Sequence, residues 1–212
     1  MNIKGAIFDM DGTILDSMGM WYSLYGNYLN EANIELTDEL EEFLRHASIP
    51  MAAALFSETI IPRPADVICK ELFSHVSDYY LNRPTVKANA DKFIRFLHEN
   101  GVKMCVATAT EARLAKGALE HLGLLPFFDG VFSCKDLKIE KNKPDIYLLA
   151  LSHLGTEISE TVVFEDAHYA VETAKNAGFC VVAIDEETVD KKEQVKKLAD
   201  RYILDFNELM TK

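Results

Sequence analysis

The rhythm of apolar and polar positions changes twice along the chain. Residues 3–8 form a short apolar run closed by Asp9-Met10-Asp11-Gly12-Thr13, the pattern of a buried strand followed by a tight loop. From Asp16 to the break at Asn82-Arg83-Pro84 the rhythm is helical. Trp21, Leu24, Tyr25, Tyr28 and Leu29 recur at steps of three and four. Leu40, Phe43 and Leu44 follow a candidate N-cap at Thr37, and Val67, Ile68, Leu72, Val76, Tyr79 and Tyr80 make another stripe. No strand pattern interrupts this stretch. From Val86 onward helices and strands alternate. Phe93, Ile94 and Leu97 mark a helix that ends at Asn100-Gly101. Strands are expected at 102–107, 130–133, 161–164 and 179–184, with an edge strand at 202–204. Helices are expected at 111–122, 144–154, 167–177 and 189–199, several stopped by a glycine (Gly123, Gly155, Gly178).

Strands alternating with helices imply parallel βαβ units. The expected fold is α/β: a doubly wound parallel sheet, Rossmann-like, with an inserted all-helical cap. Residues 1–15 and 86–212 form the expected α/β catalytic core and 16–85 the helical cap. An insertion after the first strand lies at the sheet's carboxyl edge, where open α/β sheets bind ligands, so an enclosed small-molecule site is expected.

Composition narrows the function. The chain has 212 residues, 49% hydrophobic and 26% charged, which excludes a disordered chain and leaves enough apolar material for a core. The formal net charge is −12. Such a surface repels nucleic acid phosphates and anionic lipid, so neither is an expected partner. A phosphorylated substrate would need a metal ion or a local Lys/Arg cluster. No apolar run approaches a membrane span or a signal h-region, and Cys69, Cys105, Cys134 and Cys180 show no CxxC spacing. These features read as reduced thiols in a cytoplasmic protein, expected to be a monomer. The six histidines show no shared metal-ligand spacing.

Candidate chemistry sits at three expected strand ends: Asp9-x-Asp11, Thr108-Ala109-Thr110 and Glu165-Asp166. Taken singly, the first is also a turn, the second a capping region and the third a helix start. Together, in a parallel sheet, they converge on one crevice. Four carboxylates in one place are unfavourable unless a cation neutralises them, and oxygen donors of this kind select a hard divalent ion, commonly Mg²⁺. Metal, hydroxyls and a nearby Lys are the parts of a phosphoryl-transfer site.

At these residues the sequence resembles the haloacid dehalogenase superfamily. Phe8-Asp9-Met10-Asp11-Gly12-Thr13-Ile14-Leu15-Asp16-Ser17 matches the family's first motif almost letter for letter, and Thr108 the second. Lys141-Asn142-Lys143-Pro144-Asp145-Ile146-Tyr147 fits the third with Lys141 in register and Lys143 as a competitor, and Phe164-Glu165-Asp166 fits the fourth. The helical insert resembles the small cap of the β-phosphoglucomutase and phosphoglycolate phosphatase branch. The resemblance implies Asp9 as nucleophile and Asp11 as acid and base. It implies Thr108, Ala109 and Lys141 as phosphate-binding residues. Asp9, the backbone carbonyl of Asp11, and Asp166 would hold Mg²⁺, with Glu165 a direct or water-mediated ligand. It further implies a small phosphorylated metabolite as substrate.

Asp11 together with Glu165-Asp166 argues against dehalogenation, which needs neither acid nor Mg²⁺. Two departures argue against a mutase. A His and an Arg of the β-phosphoglucomutase branch are matched here by Trp21 and Ile49, although Arg45 or His46 could substitute in space. A third departure is Ala167-His168-Tyr169-Ala170, where the family pattern has Ser-x-x-Gly. Met18, Met20, Trp21 and Tyr25 are expected to shape substrate selection or to pack the cap. A non-catalytic phospho-acceptor is the rival from another class, and the insert and the Asp-x-Asp spacing count against it. No GxGxxG follows the first strand, so a dinucleotide enzyme is unsupported.

Overall fold

The computed structural model describes residues 3–45, 47–188 and 191–210. It divides into two compact units, Met1–Ser17 with Pro84–Lys212, and Met18–Arg83.

The first unit is a six-stranded parallel sheet. Its strands are β1 (Gly5–Phe8), β2 (Lys103–Thr108), β3 (Gly130–Ser133), β4 (Thr161–Glu165), β5 (Cys180–Ile184) and β6 (Arg201–Ile203), in the order β3-β2-β1-β4-β5-β6. Helices α5 (Ala90–Glu99), α6 (Ala112–His121), α7 (Cys134–Leu137), α8 (Asp145–Leu154), α9 (His168–Asn176) and α10 (Lys192–Leu198) connect them. The strand order reverses between β1 and β4, and ligands bind such sheets at this switch point.

Successive strand residues face opposite sides of the sheet. On one side Ile7, Cys105, Val163 and Val181 pack with Ile146 and Tyr147 of α8, Val171 of α9 and Val195 of α10. On the other, Phe8 and Phe164 stand in register and stack with ring centroids 4.4 Å apart, and Phe93 and Phe206 close around Phe164 at 5.4 and 6.2 Å. That stack fixes the ends of β1 and β4 one residue before Asp9 and Glu165. The ladder runs one step further, with the Asp9 amide donating to the Phe164 carbonyl at 2.9 Å.

The segments that lead out of and back into this unit pair with each other. Leu15 bridges Val86, and the Asp16 amide donates to the Thr85 carbonyl at 2.9 Å. The division therefore falls at 17/18 and 83/84, two residues outside the 15/16 and 85/86 boundaries expected from sequence. The expected start of the helix at 189–199 includes Val189 and Asp190, which lie outside the described residues, as does His46. The described helix begins at Lys192.

The second unit holds α1 (Met18–Glu31), α2 (Asp38–Leu44), α3 (Ile49–Thr59) and α4 (Ala65–Asn82). Most of the stripe read from sequence forms its core: Leu24, Tyr28 and Leu29 of α1 and Ile68, Leu72, Val76 and Tyr80 of α4 are buried, together with Phe56 of α3, whereas Phe43 and Val67 of the same stripes are exposed. Thr37 caps α2, accepting the Leu40 amide at 3.4 Å. All four cysteines are free thiols. No helix among the described residues is long and apolar enough to cross a membrane.

Candidate active site

The site is built where β1, β2 and β4 end. Asp9 follows β1, Thr108 closes β2, and Glu165 closes β4 with Asp166 next to it. Asp9, Glu165 and Asp166 are all buried, and each offers a carboxylate oxygen within 4.8 Å of the others. Lys141, from the loop between α7 and α8, is buried against them. Its ammonium pairs with Asp9 and lies 2.6 Å from Glu165 Oε1. Lys143 is exposed and pairs with Glu140 at 3.5 Å. Of the two candidate lysines, the one brought to the carboxylates is Lys141.

Burial and then charge balance set the electrostatics. Burial, then the Glu165 charge, pushes the Asp166 carboxyl up to about 7, with Lys141 and Lys87 opposing. Burial also raises Asp9 well above the usual carboxylate range, although Lys141 pulls the other way. Burial alone would lower the Lys141 ammonium, but Asp9 and Glu165 outweigh it and hold it charged. Three clustered carboxylates share one buried ammonium. Such a set of hard oxygen donors, short of positive charge, fits a small divalent cation.

Asp11 stands apart from this cluster. Ser17 donates to its Oδ1 and Thr110 to its Oδ2, both at 2.7 Å. Of the expected metal residues, its side chain is therefore the one not gathered with the other three. Thr108 is fully buried, and its hydroxyl accepts the Thr110 amide at 3.0 Å while retaining a proton to donate. Ala109 lines an open cleft of about 520 Å³ with Lys141, Asn142 and Tyr169.

The loop between Asp9 and Leu15 is held by Met10, whose carbonyl accepts the amides of Ile14 and Leu15. Gly12 has φ +80°, and a Cβ there would lie 2.4 Å from Asp166 Oδ2. Only glycine allows both that backbone and that approach. Thr13 donates to Asp166 Oδ1 at 3.2 Å.

Three contributors carried no assigned role in the sequence. Ser17 orients Asp11, Tyr147 donates to Glu165 Oε1 at 2.9 Å, and Tyr169 stands half exposed in the cleft beside Lys141. Ser17 and Tyr147 lie inside the first and third motifs, so their position was a signal, but a hydroxyl's destination is a tertiary fact.

A parallel α/β sheet with an acidic, lysine-bearing centre at its switch point is an enzyme architecture suited to phosphoryl chemistry. Residues 3–178 match the haloacid dehalogenase-like hydrolase family, and the chain belongs to it. Among named relatives, the fructose-1-phosphate phosphatase YqaB of Escherichia coli is 29% identical over 184 residues, spanning 85% of this chain and 95% of that protein. A phosphorylated carbohydrates phosphatase of Thermotoga maritima is 27% identical over 181 residues, spanning 83% and 82%. A crystal structure from Thermotoga maritima, assigned as a β-phosphoglucomutase, superposes with a TM-score of 0.85 at 23% identity, covering 98% of this chain and 97% of that one. It shares the fold.

Proposed function

We propose that this hydrolase is a Mg²⁺-dependent phosphatase of a small phosphorylated metabolite, most simply a sugar phosphate, acting through an aspartyl-phosphate on Asp9. The observation that carries this reading is the separation of two aspartates on one loop. Asp9 lies among the buried carboxylates beside Lys141, while Asp11 is held outside them by Ser17 and Thr110. The phosphatase names of the two relatives support the substrate class.

In this reading an Asp9 oxygen attacks phosphorus, and the bond from phosphorus to the ester oxygen breaks as the new one forms. Asp11 gives its proton to the departing alkoxide. It then takes a proton from the water that attacks phosphorus and frees Asp9. The hydrogen bonds from Ser17 and Thr110 aim Asp11. Lys141, the Thr108 hydroxyl and the backbone beside Ala109 hold the phosphoryl oxygens. Asp9, Asp166 and the Asp11 carbonyl would hold the cation, with Glu165 beside them; bound there, it would screen the nucleophile's charge from that of the phosphoryl group.

The helical unit has a cavity of about 250 Å³ of its own. Trp21, Tyr25, Glu41, Arg45 and Ser48 are among its lining residues, and the indole N–H of Trp21 is fixed on the Tyr80 hydroxyl at 3.0 Å. A wall of aromatic rings with a carboxylate and a guanidinium suits a polyhydroxylated group.

The test is phosphate release from a panel of esters: sugar phosphates, glycolate phosphate, nucleotides and an aryl phosphate, with Mg²⁺ and then with EDTA. Release that requires Mg²⁺ and is fastest on sugar phosphates is expected. No release from any ester, or release unchanged by EDTA, would overturn the reading.

A further inference from the structure

Glu165 is fully buried, and four donors converge on its carboxylate. Oε2 accepts the backbone amides of Asp166 at 3.1 Å and Ala167 at 3.4 Å, where the chain turns into α9. Oε1 accepts the Tyr147 hydroxyl at 2.9 Å and lies 2.6 Å from the Lys141 ammonium. A carboxylate offers about four acceptor positions, so this one is saturated and has no freedom to turn.

The two donors on Oε1 come from opposite ends of one short segment. Lys141 opens it in a loop, Pro144 caps the helix that follows, and Tyr147 lies in the first turn of α8. The segment closes on a single oxygen. Lys141 is the member that needs such a closure. A lysine side chain has four rotatable carbons and a compact charge, and it holds one position only when its partners are themselves fixed. Tyr147 is fully buried, and its ring packs 6.2 Å from that of Phe179. A phenylalanine would fill the same space. The hydroxyl is thus the part of Tyr147 that packing does not require.

We propose that Tyr147 is a positioning residue for phosphoryl transfer: its hydroxyl fixes Glu165 Oε1, and Glu165 in turn holds the Lys141 ammonium against Asp9. This rests on the phosphatase reading above and adds to it a residue that never meets the substrate. Without the hydroxyl, Oε1 loses its one uncharged donor, the carboxylate regains a rotation, and Lys141 follows it away from the phosphoryl position.

Tyr147→Phe, Lys141→Met and the double variant test this. Binding of inorganic phosphate in the presence of Mg²⁺ is measured by calorimetry, and kcat and KM are measured on an ester that the wild type hydrolyses. Tyr147→Phe is expected to melt close to wild type, to bind phosphate about fivefold more weakly and to lose about tenfold in kcat with KM changed less than about threefold. In the Lys141→Met background the same substitution is expected to change phosphate affinity less than about twofold, because its action runs through Lys141. Wild-type phosphate affinity and turnover in Tyr147→Phe would overturn the proposal. So would equal weakening in both backgrounds, which would route the hydroxyl's effect elsewhere. Should Tyr147→Phe not fold, 4-fluorophenylalanine at position 147, which fills the hydroxyl's space without its proton, replaces it in the same cycle with the same expectations. A wild type that releases no phosphate counts against the phosphatase reading alone, and the binding cycle then decides the role of Tyr147.

Discussion

Asp9 and Asp11 are two residues apart on one loop, yet their surroundings differ in the way the proposed reaction requires. Asp9 is buried against a lysine among other carboxylates, as a nucleophile aimed at a phosphoryl group must be. Asp11 is partly exposed and clasped by two hydroxyls, which leaves it able to exchange protons with an alcohol and with water. Asp9→Asn is expected to abolish turnover. It should leave the metal-free protein near or above wild-type stability, because one of three crowded carboxylates is neutralised. Steady-state kinetics and a thermal melt check both halves. Asp11→Asn is expected to keep the protein folded and to slow turnover by roughly 10²-fold, the usual contribution of a positioned acid and base. An unchanged rate would remove Asp11 from the mechanism.

The elements deliver these residues with little slack. β1 and β4 are paired in register and locked by the Phe8–Phe164 stack, so Asp9 and Glu165 emerge side by side. The loop after β1 then folds back over Asp166, which Gly12 alone permits. Gly12→Ala is expected to weaken Mg²⁺ binding by about tenfold or more. It should also destabilise the fold by roughly 1–3 kcal/mol, since it adds both a strained φ and a Cβ against a carboxylate. Calorimetric titration and melting curves check this. At this scale the sequence was most informative. The strands were legible as apolar runs because both faces of a parallel sheet are buried, and the acidic ends were legible because they are written as adjacent letters. The short α7 was not, because a four-residue helix has no periodicity to read. Nor were the Tyr147–Glu165 and Ser17–Asp11 bonds, which depend on how α8 and the first loop pack. The Lys141 or Lys143 choice was open for the same reason: both lie two residues apart on a loop, and only the fold decides which is buried.

Over the whole molecule, three carboxylates of an acidic chain are buried together, and that makes stability depend on pH and on cations. Burial pushes the Asp166 carboxyl up to about 7 in the folded chain, against an ordinary value of 3.8. The native state therefore keeps a proton that the unfolded chain releases. The stabilisation from that proton is fully present below about pH 4 and is lost as pH rises through about 7. Asp9, raised in the same direction, adds to the effect. In EDTA the melting temperature is expected to fall as pH is raised from 5 to 8, and Mg²⁺ at pH 8 is expected to restore it. A melting temperature that is flat across this range and indifferent to Mg²⁺ would contradict the charge balance described for the site. In the sequence a long helical stretch breaks the βαβ rhythm, and the chain divides at 17/18 and 83/84 around it. The exact limits were not legible, because the two connecting segments pair with each other and so belong to the sheet unit.

The central claim is that Asp9 carries the phosphoryl group. The most direct measurement is to quench the enzyme during turnover of a sugar phosphate, reduce it with borohydride and map the modified peptide by mass spectrometry. An acyl phosphate at Asp9 is expected to appear as homoserine at that position in the wild type, and not without substrate. Rapid phosphate release with Asp9 unmodified, or wild-type release by Asp9→Asn, would contradict the account.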